Sequence, residues 1–160
     1  MKNITLAGTG HRPEKLGGYS EDNFKKLVSI AEEWLKKIKA TKVISGMALG
    51  WDQALAQAAI NLKIYLIAAI PFTNQDKVWR SESKKYYNEL LSKASEVINV
   101  SGMDDYKVEY MQRRNEWMVD NCDILLAMFD GTSGGTANCM KYAETKNKKI
   151  LNIYSEFKLN

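Results

Sequence analysis

The feature that most restricts the fold of this chain is a regular alternation of continuously apolar runs with segments of helical periodicity. The clearest apolar runs are IYLIAAIPF, at residues 64–72, and DILLAMF, at residues 123–129. Successive positions in these runs are apolar, which is typical of parallel strands that helices cover on both faces. Because helical segments separate the runs, we predict an α/β fold, a Rossmann-like three-layer α/β/α sandwich with a mostly parallel sheet.

The predicted elements follow one another without a linker or an internal repeat. Strands are predicted at 3–8, 42–46, 64–72, 96–101, 123–129 and 148–154, and helices at 20–39, 49–63, 81–95, 106–123 and 134–147. Ser20 precedes the first helix and is predicted to be its N-cap. We expect a single domain over residues 1–160, with residues 156–160 loose.

Charge and residue counts exclude several classes of protein. The 160 residues carry a formal net charge of +4, and most lysines lie on predicted amphipathic helices, so we expect solvated helix faces rather than a groove for nucleic acid. Two cysteines and one histidine make a zinc site unexpected, and no other metal or cofactor is predicted. No apolar run approaches the roughly 18 residues that span a bilayer. We therefore expect a cytoplasmic protein, in the host cytoplasm if a phage encodes it, without a membrane partner.

Glycines and charged residues gather in the loops after the predicted strands, where ligands of open parallel sheets bind. The loop GTGHRP follows the first strand and lacks the dinucleotide spacing GxGxxG, because Pro13 stands where the pattern continues. We interpret it as a contact for an anion or a ribose, with a tight structural turn as the alternative. The residues predicted to contact a ligand here are Gly8, Thr9, Gly10, His11 and Arg12.

Three further segments contribute predicted ligand contacts. The loop SGMALGWD supplies Gly46 and Asp52, and Asp52 either complements the dipole of the following helix or bonds ribose hydroxyls. In the helix YMQRRNEWMVDNCD, Arg114 is predicted to bind phosphate, whereas Arg113 is assigned to the surface. The turn DGTSGGTANCMKYAE, at residues 130–144, precedes a helix whose first N–H groups would bind an anion. Its predicted contacts are Asp130, Gly134, Gly135 and Thr136.

With these loops, the chain resembles the SLOG superfamily, which includes the Lonely-guy-type nucleoside monophosphate phosphoribohydrolases and the DprA-like domains. The resemblance rests on GTGHRPEKLGGY, SGMALGWDQALAQAA and RRNEWMVDNCDILLAMFDGTSGGTANCMKYAE, and it extends over nearly the whole chain. It is closest to the small stand-alone domains of phages and bacteria. It implies a Rossmann-like nucleotide-binding domain whose site lies in these loops.

The resemblance also implies where a hydrolase of this kind would hold its catalytic glutamate. Three residues after the threonine that matches Thr136, the related hydrolases carry glutamate, and this chain carries Cys139. A neutral thiol supplies neither the charge nor an equivalent nucleophile for an oxocarbenium-like state. The acids that would have to substitute are Asp52, Asp130 and Glu116.

Two functions are consistent with this pattern. In the first, the protein binds a nucleotide or an ADP-ribose-type signal, such as a cyclic ADP-ribose, without cleaving it, and sequesters it to blunt bacterial defence signalling. In the second, it is a nucleotide N-glycosidase that releases a free base. DNA binding is not expected, because no stripe of basic and aromatic residues stands out. The resemblance further implies a homodimer or a higher homo-oligomer. The large aromatics of the helical segments either exceed the need of one small core, which also indicates self-association, or simply fill that core; they are Trp34, Trp79, Tyr86, Tyr87 and Trp117.

Overall fold

The computed structural model describes residues 2–159, which contain a six-stranded sheet with helices on both faces. The strands are β1 (Thr5–Gly10), β2 (Lys42–Ser45), β3 (Tyr65–Ile70), β4 (Glu96–Asn99), β5 (Ile124–Met128) and β6 (Lys149–Asn152). Their order across the sheet is β4-β3-β2-β1-β5-β6, and every pair is parallel. The predicted α/β class and parallel sheet are confirmed.

The helices form the two outer layers. They are α1 (Glu21–Ile38), α2 (Trp51–Asn61), α3 (Ser81–Lys93), α4 (Val108–Asp120), α5 (Gly135–Thr145) and α6 (Tyr154–Leu159), and a 3-10 turn covers Pro13–Lys15. Helices α1, α2, α3 and α6 pack on one face of the sheet, and α4 and α5 pack on the other. This arrangement is the predicted three-layer sandwich.

Strand β1 shows why the central strands read as continuously apolar. Side chains of consecutive strand residues point to opposite faces. Leu6 therefore joins the core under α1 and α2, and Ala7 joins the core under α4 and α5. Because both faces are covered, each position must be apolar, and both side chains are fully buried.

Helix α2 packs on β1 through side chains of the helix that fill the space left by glycines of the strand. Trp51, the first residue of α2, is fully buried, and its indole Nε1 donates to the carbonyl of Leu126, 3.4 Å away. A Cβ on Gly10 would lie only 2.5 Å from the Trp51 ring. The glycine of β1 thus creates the space that the tryptophan occupies.

The ends of two helices bear on sequence predictions. The predicted N-cap of α1 is confirmed, since the Ser20 hydroxyl accepts a hydrogen bond from the Asn23 amide at 3.1 Å. The expectation that residues 156–160 are loose is wrong over the described part of that segment, which belongs to α6; residue 160 lies outside the described residues. Phe157 packs against the core, and the Trp34 indole donates to the Glu156 carboxylate at 2.6 Å. These contacts supply the burial that anchors α6.

The large aromatics that suggested self-association pack against the cores of a single chain. Tyr87 is buried, and Trp34, Trp79, Tyr86 and Trp117 pack half-buried against one of the two cores. Their number is therefore accounted for by folding, and the homo-oligomer stays a prediction. No helix within residues 2–159 has both the length and the apolar character needed to cross a bilayer.

We expect Gly10→Ala to lower the free energy of unfolding by about 1–3 kcal/mol, because the added methyl group overlaps the Trp51 ring. Urea denaturation checks this value. Gly135→Ala is the matched control, since a Cβ there meets nothing within 4 Å, and we expect a change below about 0.5 kcal/mol. Equal stabilities of the two variants would show that Trp51 shifts without cost.

Candidate functional site

A cleft of about 360 Å³ opens at the carboxyl edge of the sheet, above the boundary between β1 and β5. The strand order reverses at this boundary, and open α/β sheets bind their ligands at such switch points. The residues that line the cleft are Thr9, Gly10, His11, Arg12, Glu14, Lys15, Ala48, Asn115, Ser133, Gly134, Gly135 and Thr136. They come from four separate segments, which the parallel sheet brings to one edge.

One wall of the cleft is the N-terminus of α5. Its N-cap is Gly134, which has a φ of 139° and no side chain to accept from the first N–H groups of the helix. The first turn of a helix leaves these donors unpaired and carries partial positive charge. A Cβ added at Gly134 or Gly135 would meet nothing within 4 Å, so the backbone is open to a ligand. This wall suits an anion.

Two cations stand at the rim, Arg12 from the loop after β1 and Lys15 from the 3-10 turn. Both are exposed. The Lys15 ammonium donates to the hydroxyl of Thr132, in the loop that leads to α5. The cations therefore lie on the same side of the molecule as the helix N-terminus, and the electrostatic field of the cleft favours a phosphate-bearing ligand.

Behind Thr132, a hydrogen-bonded pair joins His11 and Asp130. The His11 Nε2 lies 2.7 Å from the Asp130 Oδ1, and the same nitrogen lies 2.9 Å from the Asp130 amide. Asp130 Oδ1 also accepts from the amide and the hydroxyl of Thr132, at 3.0 and 2.6 Å. The bonds from Thr132, with help from His11, lower the pKa of Asp130 to about 2, so that this carboxyl is ionised at neutral pH.

His11 is itself 7% exposed, and burial lowers its pKa although Asp130 opposes the shift. The His11 Nε2 lies beside one hydrogen-bond donor, the Asp130 amide, and one acceptor, the Asp130 carboxylate. A neutral ring with the proton on Nδ1 accepts from the Asp130 amide, whereas a ring protonated at Nε2 donates to the carboxylate. The pair can therefore hold or release one proton beside the cleft.

Arg114 lies beneath the cleft and is not among the lining residues. Its guanidinium is 4% exposed, and its Nη1 donates to the carbonyls of Gly46 and Ala69 at 2.6 and 3.4 Å. Its Nε donates to the Asn115 Oδ1 at 3.2 Å. A Cβ on Gly46 would fall 2.6 Å from Nη1, so glycine is needed there by the arginine. The geometry gives both residues structural contacts, and their predicted ligand contacts stay predictions.

Asp52 is buried below Ala48 in the first turn of α2. Its Oδ2 accepts from the Ala48 amide at 3.4 Å, and within residues 2–159 no group bonds its Oδ1. Desolvation raises the pKa of Asp52 to about 6, although the charge of Arg114 opposes the shift. Asp52 is not a lining residue of the cleft. An unpaired carboxyl oxygen of this kind is costly unless the group is protonated or a donor arrives.

The two remaining chemical candidates lie outside the cleft. Cys139 is fully buried under Thr9, whose side chain bonds it, and burial raises the pKa of the thiol to about 11. It is therefore a protonated thiol at neutral pH. Glu116, on α4, accepts from the Gln112 amide at 3.1 Å and does not line the cleft.

The structure thus brings together most of the predicted contacts, but not all. The predicted residues that line the cleft are Thr9, Gly10, His11, Arg12, Gly134, Gly135 and Thr136. Gly8 is buried, and a Cβ there would lie 2.3 Å from Leu55, so Gly8 serves the packing of α2. Sequence reasoning missed Glu14, Lys15, Ala48, Asn115 and Ser133. Lys15 stands in the quoted loop, yet only the 3-10 turn reveals that it folds back towards Thr132.

Comparison with known sequences gives two matches of note. The YpsA model, which describes the YspA SLOG family, matches residues 6–157. The SPbeta prophage-derived protein YoqJ of Bacillus subtilis (strain 168) is 40% identical over 134 residues, which cover 74% of this chain and 78% of that protein.

Solved structures share the fold at low identity. DNA processing protein A (DprA) of Streptococcus pneumoniae superposes with a TM-score of 0.69 at 17% identity, over 92% of this chain and 49% of the other. The chain therefore spans about half the length of that protein. The molybdenum cofactor binding protein of Rippkaea orientalis has a TM-score of 0.61 at 15% identity, over 99% of this chain and 82% of the other. Within residues 2–159, no three His, Cys, Asp or Glu residues are grouped to hold a metal ion.

We expect the free energy of unfolding of Asp52→Asn to exceed that of the unchanged protein by an amount that grows as the pH rises. The pKa of Asp52 is raised from 3.8 to about 6 in the folded state, so folding favours its protonated form. The stability that this proton contributes is complete below pH 4 and is lost as the pH rises through 6. Asparagine mimics the protonated form, and the difference in unfolding free energy should grow by up to about 3 kcal/mol between pH 4 and 8.

Urea titrations at several pH values measure this difference. Asp22→Asn, at an exposed position in the first turn of α1, is the control and should give a nearly constant difference. A constant difference for Asp52→Asn as well would mean that Arg114 keeps the Asp52 carboxyl ionised.

Proposed function

The chain belongs to the YspA SLOG family, as the resemblance in its loops implied, and we propose that its cleft binds a nucleotide-derived small molecule that carries phosphate. The observation that carries this proposal is the meeting of the uncapped α5 N-terminus with Arg12 and Lys15 around one cleft. Backbone N–H groups and side-chain cations complement a phosphate together.

We propose further that the ligand is bound and left intact. The position of the hydrolases' glutamate is held by Cys139, whose thiol is buried and protonated at neutral pH. Glu14 is the one carboxylate side chain among the lining residues of the cleft, and it accepts a hydrogen bond from the Tyr19 hydroxyl at 2.5 Å. This bond lowers the pKa of Glu14, so the group is poorly suited to act as a general acid.

We propose further that the ligand is an ADP-ribose-type signal, such as a cyclic ADP-ribose. The protein would then bind this signal in order to sequester it. The prophage origin of the relative YoqJ supports a role against bacterial defence signalling. A protein that binds such a signal without consuming it lowers the free concentration of the signal in proportion to its own abundance. A binding site that lacks an acid at position 139 fits this role.

We expect AMP and ADP-ribose to bind at least tenfold more tightly than adenosine in isothermal titration calorimetry, because adenosine lacks the phosphate that the α5 N-terminus and the cations recognise. Arg12→Ala should weaken the binding of both nucleotides about tenfold, the loss of one charge-assisted hydrogen bond. Arg113→Ala is the matched control: it removes the same charge from an exposed site where the guanidinium stacks over Tyr110, and it should change little. Equal losses of nucleotide affinity in the two variants would show that only the net charge of the protein matters. Equal affinities for AMP and adenosine would refute phosphate recognition.

The alternative is a nucleotide N-glycosidase, and the His11–Asp130 pair is the observation that favours it. Asp130 is ionised and hydrogen-bonded to a histidine that can carry a proton, which is a workable pair for glycosidic chemistry. DNA binding has weaker support, since the likeness to DprA shows the fold alone.

Incubation with AMP, dCMP, NAD and cyclic ADP-ribose, followed by chromatography, separates binding from cleavage. We expect each compound to be recovered intact. Release of free base by the unchanged protein, lost in Asp130→Asn, would replace the binding proposal with the enzymatic one. A matched Asp120→Asn variant, altered on the surface of α4, controls for traces of contaminating hydrolase.

A further inference from the structure

A second cleft, of about 560 Å³, lies beside the first and is not part of the proposed phosphate site. The two clefts are separated by the chain from Arg12 to Tyr19 and by the start of α2. Arg12, Glu14 and Lys15 face the first cleft, whereas Pro13, Gly18 and Tyr19 face the second. The remaining walls of the second cleft come from the first turns of α1, α2 and α3.

The walls of the second cleft are largely aromatic and aliphatic. Phe24 of α1 and Tyr86 of α3 meet edge to face, with ring centroids 5.6 Å apart. The Tyr86 hydroxyl is already engaged, since it donates to the Gln57 Oε1 at 2.6 Å. Tyr19, half-exposed at 51%, forms part of the opposite wall. Such surfaces favour a flat apolar or aromatic group.

One polar group of this cleft is an unbonded hydrogen-bond acceptor, the side-chain oxygen of Gln53. Gln53 is 3% exposed, and its Nε2 donates to the Met47 carbonyl at 3.2 Å. Within residues 2–159 no donor reaches the Gln53 Oε1, although the residue lines the cleft. This oxygen is reached by solvent, so an N–H group of a ligand that enters the cleft can donate to it.

Both ionised side chains that line the second cleft are carboxylates, at the starts of α1 and α3, and the Arg80 guanidinium lies outside the lining, 5.5 Å from the Tyr19 ring centre. Glu21 and Glu82 line the cleft, and no lysine, arginine or histidine does. Glu21 pairs loosely with Lys25, at 3.7 Å, whereas Glu82 has no ion pair in the described chain. The first cleft is lined by two cationic side chains and one carboxylate.

We infer that the second cleft binds a planar aromatic ring that carries N–H donors and no negative charge, the class of aryl amides, aryl amines and aryl amidiniums. The ring packs against Phe24 and Tyr86, an N–H group donates to the Gln53 Oε1, and a positive substituent is drawn to Glu82. The proposal does not rest on phosphate binding at the first cleft, because the two clefts share no lining residue.

Three probes of one ring size test the inference on the unchanged protein: benzamidine, benzamide and benzoate. We expect their affinities, measured by NMR titration, to fall in that order, with benzoate at least tenfold weaker than benzamidine. The resonances that shift should belong to Phe24, Ser83 and Tyr86 and not to residues 134–136. Pyrophosphate, as the probe of the first cleft, should shift residues 134–136 and leave Phe24 unmoved.

Two variants sharpen the result. Glu82→Lys should weaken benzamidine at least fivefold and strengthen benzoate, whereas Glu33→Lys, the same change at an exposed position of α1 outside the cleft, should do neither. Gln53→Leu should weaken benzamide severalfold through loss of the acceptor; if that variant does not fold, the probe ranking and Glu82→Lys still decide.

The inference is overturned if benzoate binds as tightly as benzamidine, or if the shifts map to the first cleft. Absence of saturable binding by benzamidine and benzamide up to roughly 10 mM would overturn it as well. None of these outcomes bears on phosphate binding, which pyrophosphate reports separately.

Discussion

The buried guanidinium of Arg114 is the interaction on which the geometry of the cleft depends. It ties the carbonyl ends of two neighbouring strands, at Gly46 and Ala69, and it holds the Asn115 amide group. Asn115 in turn lies 3.5 Å from the carbonyl of Gly135, at the start of α5. No carboxylate within residues 2–159 lies within 4 Å of the guanidinium, so backbone carbonyls do most of the work of solvating its charge. A buried charge is tolerated only with such partners, which fixes the strand ends and the helix start relative to each other.

The surroundings of this buried charge also decide which chemistry the cleft favours. Asp52 and Cys139 both lie close enough to Arg114 for its charge to lower their pKa values, yet burial outweighs it and raises both. The two acidic groups beneath the cleft, Asp52 and Cys139, thus favour their neutral, protonated forms, whereas the ionised Asp130 lies at the side of the cleft and the cations lie at its rim. Binding of an anion needs only the rim and the helix terminus. Cleavage of a glycosidic bond needs a carboxylate at the reacting carbon, and the carboxylates near the cleft are Glu14, on its wall, and Asp130, behind Thr132.

The layers of the fold could be predicted from the sequence because strands that are buried on both faces of a parallel sheet are continuously apolar. The sequence also predicted the loops that line the cleft, because glycines and charged residues gather after the strands, although Gly8, Gly10 and Gly46 make room for buried side chains. It assigned Arg113 to the surface and Arg114 to the inner side of α4, as the structure has them. It did not predict that the Arg114 guanidinium bonds buried carbonyls, because helical periodicity gives the face of a side chain and not its partners. Lys15 was missed because a 3-10 turn, which has no clear sequence pattern, sets its direction. The α6 helix was missed because its stability comes from contacts with α1, distant in sequence.

Both edges of the sheet are strands of four residues, β4 and β6. Each begins with a charged side chain, Glu96 or Lys149, and the parallel arrangement leaves no long hairpin at either margin. Short, charged margins offer a neighbouring molecule little backbone to pair with, which guards against growth of the sheet from one molecule to the next. Any assembly of this chain would accordingly use helix and loop surfaces. Contacts between such surfaces depend on side chains, so they can be specific for other copies of this chain.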